Sequence, residues 1–79
     1  MRMAKPGDRI KLIAMPDDPD PISAGTMGTV VSVDQIGVGR EAWLPVDVDW
    51  DNGRQLMLTV PPDDFEIVGR NLWRWRFNS

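Results

Sequence analysis

Three aspartates at alternate positions over residues 47–51 stand directly before the pair Asn52-Gly53. Carboxylates at this spacing begin the calcium loop of EF-hand proteins, which also needs glycine at loop position six and glutamate at position twelve. Counted from Asp47, those two positions hold Asn52 and Leu58, so the pattern fails twice. The spacing therefore favours a strand whose aspartates face water over a metal site or a carboxylate active site.

Two glycine-rich segments and one acidic segment also resemble known motifs. Residues 37–42, "GVGREA", fit the dinucleotide fingerprint formally, but that motif needs a full helix and Pro45 would stop one. Residues 25–30, "GTMGTV", lack the lysine of a phosphate-binding loop. Residues 17–20, "DDPD", could attract a hard cation, but aspartates beside prolines more often shape turns. We interpret all three segments as turns.

The composition narrows the range of possible functions. The 79 residues include no cysteine and no histidine, which removes disulfides, thiol nucleophiles and the side chain most used for acid–base chemistry near neutral pH. The remaining reactive side chains form no recognisable nucleophile–base pair. We therefore expect a single domain that is not an enzyme and holds no cofactor and no metal.

Charge and hydropathy also limit the partners. A formal net charge of −3 disfavours nucleic-acid binding over the whole surface. No apolar run reaches the roughly 20 residues of a membrane span, and no signal peptide is evident, so we expect a cytoplasmic protein without a membrane partner. The acids lie within residues 8–66, whereas residues 70–79 hold three arginines and no acid. This asymmetry indicates a terminus that binds a partner.

The pattern of apolar residues predicts strands and no helix. Two segments alternate polar and apolar residues and a third is rich in β-branched residues, as half-buried strands do. A proline-rich loop and a glycine-containing loop separate them. The predicted strands are residues 8–15, 26–34 and 44–50, and the loops are residues 16–25 and 35–43. A small all-β barrel or sandwich of four to five short strands follows.

The pair Asn52-Gly53 predicts a hairpin. A type I′ turn fits this pair because both central residues need positive φ. The return strand, residues 54–60, is expected to bury Leu56, Leu58 and Val60, and residues 65–68 to form a short closing strand.

The C-terminal residues are unusual because aromatic and basic residues alternate. In an extended chain, Trp73, Trp75 and Phe77 would lie on one side and Leu72, Arg74 and Arg76 on the other. Three interpretations stay open: a flap that covers the barrel, a docking or dimer surface, and a platform that stacks on bases. The loop of residues 35–43 also contains an arginine and a tryptophan. The candidate partner-binding residues, from the tail and this loop, are Trp73, Arg74, Trp75, Arg76, Phe77, Arg40 and Trp43.

The order of four segments within residues 7–66 resembles an uncharacterised bacterial and phage family, domain of unknown function 4314. The segments are Gly7-Asp8-Arg9 with Leu12 and Met15; Asp17-Asp18-Pro19 to Pro21; Gly25-Thr26 with Gly28-Thr29-Val30 and Val33-Asp34; and Trp50-Asp51-Asn52-Gly53 with Leu56. The resemblance implies an SH3-like barrel of residues 1–69, followed by an extended aromatic and arginine tail, residues 70–79, outside the family's pattern. It implies no activity. Residues 37–45 are longer than the family's usual link between the second and third strands.

We expect a non-enzymatic module of phage or mobile-element type that binds a protein, either a host protein that it inhibits or a second copy through the tail. The alternative is a nucleic-acid-binding domain like KOW or Tudor modules, in which Arg40, Arg54 and the tail would contact phosphates.

Overall fold

Five antiparallel strands form one sheet in the computed structural model, which describes residues 4–70. The strands are β1 (Arg9–Ala14), β2 (Met27–Val33), β3 (Leu44–Trp50), β4 (Leu58–Val60) and β5 (Asp64–Gly69). Their order in the sheet is β4-β3-β2-β1-β5. This is the strand order of an SH3-like small barrel, so the predicted all-β fold is confirmed. In the described part of the chain, helix is limited to one 3-10 turn, Gly39–Glu41.

The alternation in β3 places the core. Leu44, Val46, Val48 and Trp50 are all buried, and the aspartates between them are exposed, as predicted. Apolar side chains from the segment before β1, from the other strands and from the β1–β2 loop complete the core. They are Ala4, Ile10, Leu12, Met15, Ile22, Val30, Leu58 and Phe65.

The hairpin after β3 forms, but the predicted type I′ turn is wrong. Among residues 4–70 only glycines have positive φ; Gly53 has a φ of 90°, and Asn52 is not in this region. The Gly53 N–H donates to the Trp50 carbonyl (2.9 Å), and the Trp50 N–H donates to the Arg54 carbonyl (2.9 Å). This pattern is a type I turn followed by a glycine bulge. It is common in hairpins whose loop is one residue longer than that of a type I′ hairpin. The Asn52 carboxamide oxygen accepts the Arg54 N–H (3.0 Å).

The return strand is shorter than predicted. Only Leu58–Val60 form β4; Leu58 is buried, whereas Leu56 and Val60 are partly buried against the core. The ladder is interrupted because the Leu56 carbonyl accepts the indole N–H of Trp50 (3.0 Å). A single bridge between Asp49 and Gln55 continues the pairing near the turn.

Three exposed apolar side chains lie where the pairing register shifts. Ile13, Val31 and Val68 are 43%, 53% and 45% exposed, and each lies between two paired positions whose register differs. A β-bulge adds a residue to one strand and interrupts its alternation between faces. Their exposure therefore follows from local sheet geometry.

Two acids, Asp8 and Asp63, are buried in the domain. Asp8 is 1% exposed; its Oδ2 accepts the Lys5 N–H (2.9 Å) and lies 3.6 Å from Nη1 of Arg70. Asp63 is 8% exposed, and its Oδ2 accepts the Thr59 N–H (2.9 Å). Each carboxylate accepts a hydrogen bond from a backbone N–H. This bond replaces one that water would otherwise make, so the carboxylate can be buried at a lower cost in free energy.

Asp51 pairs with Arg9 across the sheet. The Asp51 carboxylate accepts two hydrogen bonds from the guanidinium, one of 2.8 Å, although both side chains are well exposed. These bonds, together with the opposite charge, lower the pKa of Asp51 below its ordinary value. A carboxyl with a lowered pKa in the folded state stabilises the fold above its unfolded pKa of about 4, and this contribution is lost as pH falls through the lowered value.

We therefore expect Asp51→Asn to remove a small, acid-sensitive part of the free energy of unfolding. The effect is small because exposed ion pairs contribute little. Urea denaturation of the wild type and the variant at neutral pH and near pH 3 would measure it. Asp49→Asn is the matched control, since no cation within residues 4–70 pairs with Asp49. Equal pH dependence in the wild type and Asp51→Asn would contradict the role of this pair.

Candidate functional site

Strands β2 and β3 form an antiparallel hairpin, and residues 36–43 continue it beyond the ends of the two strands. We call this segment the 36–43 loop. Its ends are joined by two reciprocal backbone hydrogen bonds between Ile36 and Trp43, each 2.9 Å long. Below them, the Asp34 N–H donates to the Pro45 carbonyl (3.1 Å). The loop is therefore fixed at its base by the sheet.

Two glycines shape the tip of the 36–43 loop. Gly37 and Gly39 have φ values of 80° and 64°, a region that residues with a side chain rarely adopt. A Cβ on Gly37 would also lie 3.2 Å from the Glu41 carbonyl oxygen. The 3-10 turn that follows is closed by the Ala42 N–H, which donates to the Gly39 carbonyl (3.2 Å). The fingerprint-like glycines thus form the predicted loop and lead into β3 without a longer helix.

The 36–43 loop presents apolar side chains to solvent. Val38 is 81% exposed, the highest value among the large apolar side chains described, and Ile36 is 49% exposed. Arg40 is exposed and Trp43 is partly buried. No carboxylate within residues 4–70 lies within 4.0 Å of the Arg40 guanidinium. Exposed apolar groups beside Arg and Trp are typical of a binding surface.

The structure therefore brings two of the predicted residues, Arg40 and Trp43, into one loop. Ile36 and Val38 were not among the residues predicted from the sequence. The signal that could have found them is a pair of β-branched residues in a glycine loop with no strand period. The other predicted residues, Trp73, Arg74, Trp75, Arg76 and Phe77, lie outside the described residues.

The acidic segment, residues 17–20, shapes a loop, as predicted. Oδ1 of Asp18 accepts the Asp20 N–H (2.8 Å). The guanidinium of Arg54 donates to the Asp20 carbonyl (3.0 Å) and lies 3.4 Å from its carboxylate. Within residues 4–70, no group of three or more acidic, histidine or cysteine side chains is placed to hold a metal ion. Arg54, a candidate for the nucleic-acid alternative, is thus engaged by the protein itself.

The fold and the 36–43 loop together define a small all-β domain with an exposed apolar and basic loop. Strand order, the buried face of β3 and the glycine turns all agree with the segments that suggested a family. The chain belongs to the family described as Domain of unknown function (DUF4314), whose model matches residues 2–68. No curated protein and no solved structure matches the chain. Over the described residues, no helix has the length and apolar character needed to cross a bilayer.

Proposed function

We propose that this protein is a non-enzymatic interaction module that binds a protein partner through the 36–43 loop and the C-terminal tail, residues 70–79. The observation that supports this most is the exposure of Val38 and Ile36 on a loop whose base is fixed by the sheet. A loop already folded in the free protein loses less conformational entropy when it binds. Trp43 and Arg40 add the residue types that dominate binding energy in protein interfaces.

The charge of this surface favours an acidic partner. Within residues 4–70 no carboxylate lies within 4.0 Å of the Arg40 guanidinium, and residues 71–79 add Arg74 and Arg76 and no acid. Complementary charge accelerates association and fixes orientation. Because the resemblance implies a protein of phage or mobile-element type, we propose a bacterial host protein as the partner, met in the cytoplasm and inhibited by surface contact.

Replacing Val38 by aspartate tests the proposal. Val38 has extended backbone (φ −136°), which aspartate adopts readily, so we expect the fold to persist. Losing a central apolar contact and adding a charge that repels an acidic partner should weaken binding about tenfold or more. The measurement is capture of proteins from bacterial lysate by the full-length chain, followed by titration of the captured partner.

Ile13→Asp is the matched control, because Ile13 is also exposed (43%) and lies on β1. It should retain the partner that Val38→Asp loses. Equal loss in both variants, or equal retention, would contradict a role for the 36–43 loop. Capture of a second copy of this chain instead would identify the partner as the protein itself.

Nucleic-acid binding is less well supported by the described residues. Four of their cationic side chains lie within 4.0 Å of a carboxylate: Arg9, Lys11, Arg54 and Arg70. A cation that is already paired with a carboxylate gains less free energy from a contact with a phosphate. Retention of DNA or RNA that weakens steeply with salt would favour this alternative.

A further inference from the structure

A depression of about 380 Å³ opens at the base of the 36–43 loop. The apolar residues Ala4, Val33 and Leu44 line it, together with the acidic residue Asp34. Ala4 and Leu44 belong to the core, and Val33 packs against it. The depression therefore borders the apolar interior and has an acid on its lining.

The side chain of the last described residue reaches towards one wall of this depression. Arg70 follows β5, and its Nη1 lies 3.6 Å from Oδ2 of the buried Asp8. The same oxygen accepts the backbone N–H of Lys5 (2.9 Å), a residue that lines the depression. One carboxylate oxygen thus joins the start of the tail to the wall of the depression.

The tail has a suitable length and pattern to occupy the depression. Trp73 is the third residue after Arg70, and three extended residues reach about 10 Å. In an extended chain, alternation would place Trp73 and Trp75 on one side and Arg74 on the other. Because the tail is covalently attached to the domain, its effective concentration at the depression is high. A small apolar contact is therefore enough for it to bind there.

We propose that the depression is the docking site of this chain's own tail, with a tryptophan against Ala4, Val33 and Leu44. Docking there would bring the tail to the base of the 36–43 loop, and its role in partner binding rests on the proposed function. The docking itself is a property of the free protein, and it is tested without a partner.

A spin label on the tail tests the docking in the full-length protein. Because the chain has no cysteine, Asn78→Cys provides a single attachment point. We expect the label to remove most of the amide signal intensity of Val33, Gln35 and Leu44 in nuclear magnetic resonance spectra, and to leave Asn52 in the β3–β4 turn unaffected. Replacing Trp73 and Trp75 by serine should restore the lost intensity. Leu72→Ser, on the other side of the tail, should not.

Equal intensity loss with and without the two tryptophans would overturn the proposal, as would no loss at all. Loss that is seen in isotopically labelled copies without the spin label, when they are mixed with spin-labelled copies, would also overturn it, by assigning the depression to a second copy. No loss in the wild-type background together with loss in a Met3→Ala background would assign the depression to the N-terminal residues instead. None of these results changes the outcome of Val38→Asp on partner binding.

Discussion

Trp50→Ala should lose most of the free energy of unfolding. Trp50 is 2% exposed at the end of β3, and its indole N–H donates to the Leu56 carbonyl. Removing a buried tryptophan leaves a large cavity and costs about 3–5 kcal/mol, and here a carbonyl also loses its donor. Domains of this size have little stability in excess. Urea denaturation followed by circular dichroism would measure the change.

The control for this variant is the other tryptophan among the described residues. Trp43 is partly buried on the 36–43 loop and lies outside the core cluster, whereas Trp50 belongs to it. Trp43→Ala should therefore cost much less stability while it weakens partner binding. A stability loss for Trp43→Ala as large as that for Trp50→Ala would contradict this division between core and binding surface.

Gly28→Ala is expected to destabilise the domain by about 1–3 kcal/mol through overpacking. A Cβ at Gly28 would lie 2.7 Å from Cγ1 of Val48 and 2.8 Å from Cε3 of Trp50. The sign of the change in the free energy of unfolding is informative, because replacing glycine by alanine at an unstrained position usually stabilises a protein. The free energy of unfolding of the wild type and the variant, measured by urea denaturation, gives that sign.

A second substitution identifies the cause. In a Gly28→Ala variant that also carries Val48→Ala, the valine methyl group that would clash is absent. The loss of stability should then be smaller than the sum of the two single losses, because contacting sites are not additive. Stabilisation by Gly28→Ala alone would show that the close approach of β2 and β3 is unimportant, and full additivity in the double variant would contradict a clash with Val48.

The strands and their faces were predictable because a residue's face follows from its position along the chain. The alternation of residues 44–50 predicts the burial of Val46 and Val48 without knowledge of any partner. The type of turn was not predictable from Asn52-Gly53 alone. The pairing of β3 with the returning chain leaves a loop that is one residue longer than the loop of a type I′ hairpin. The Asn52 side chain then accepts a hydrogen bond from the Arg54 N–H.

Contacts between residues far apart in the sequence required the structure. Arg9 and Asp51 are separated by 42 positions, and only the alignment of β1, β2 and β3 brings them together. The burial of Asp8 was also hidden, because aspartate before a strand is ordinarily exposed. Its surroundings depend on the turn from Lys5 and on the end of β5, which meet only in the folded domain.

The candidate site was predictable in part. Arg40 and Trp43 stood out by residue type, but a sequence cannot distinguish an apolar loop residue that packs from one that stays exposed. Val38 is exposed because the bridge between Ile36 and Trp43 closes the loop below it and the glycines turn the tip away from the core. The same geometry supports the proposal that the loop binds a partner.

The most direct test of this proposal is a photo-crosslinking amino acid placed at position 38 of the full-length protein in bacterial cells. We expect a discrete covalent adduct with one partner protein, identified by mass spectrometry. The same amino acid at position 13, which is exposed on β1, should not give this adduct. Identical adducts from both positions, or none from position 38, would contradict the account.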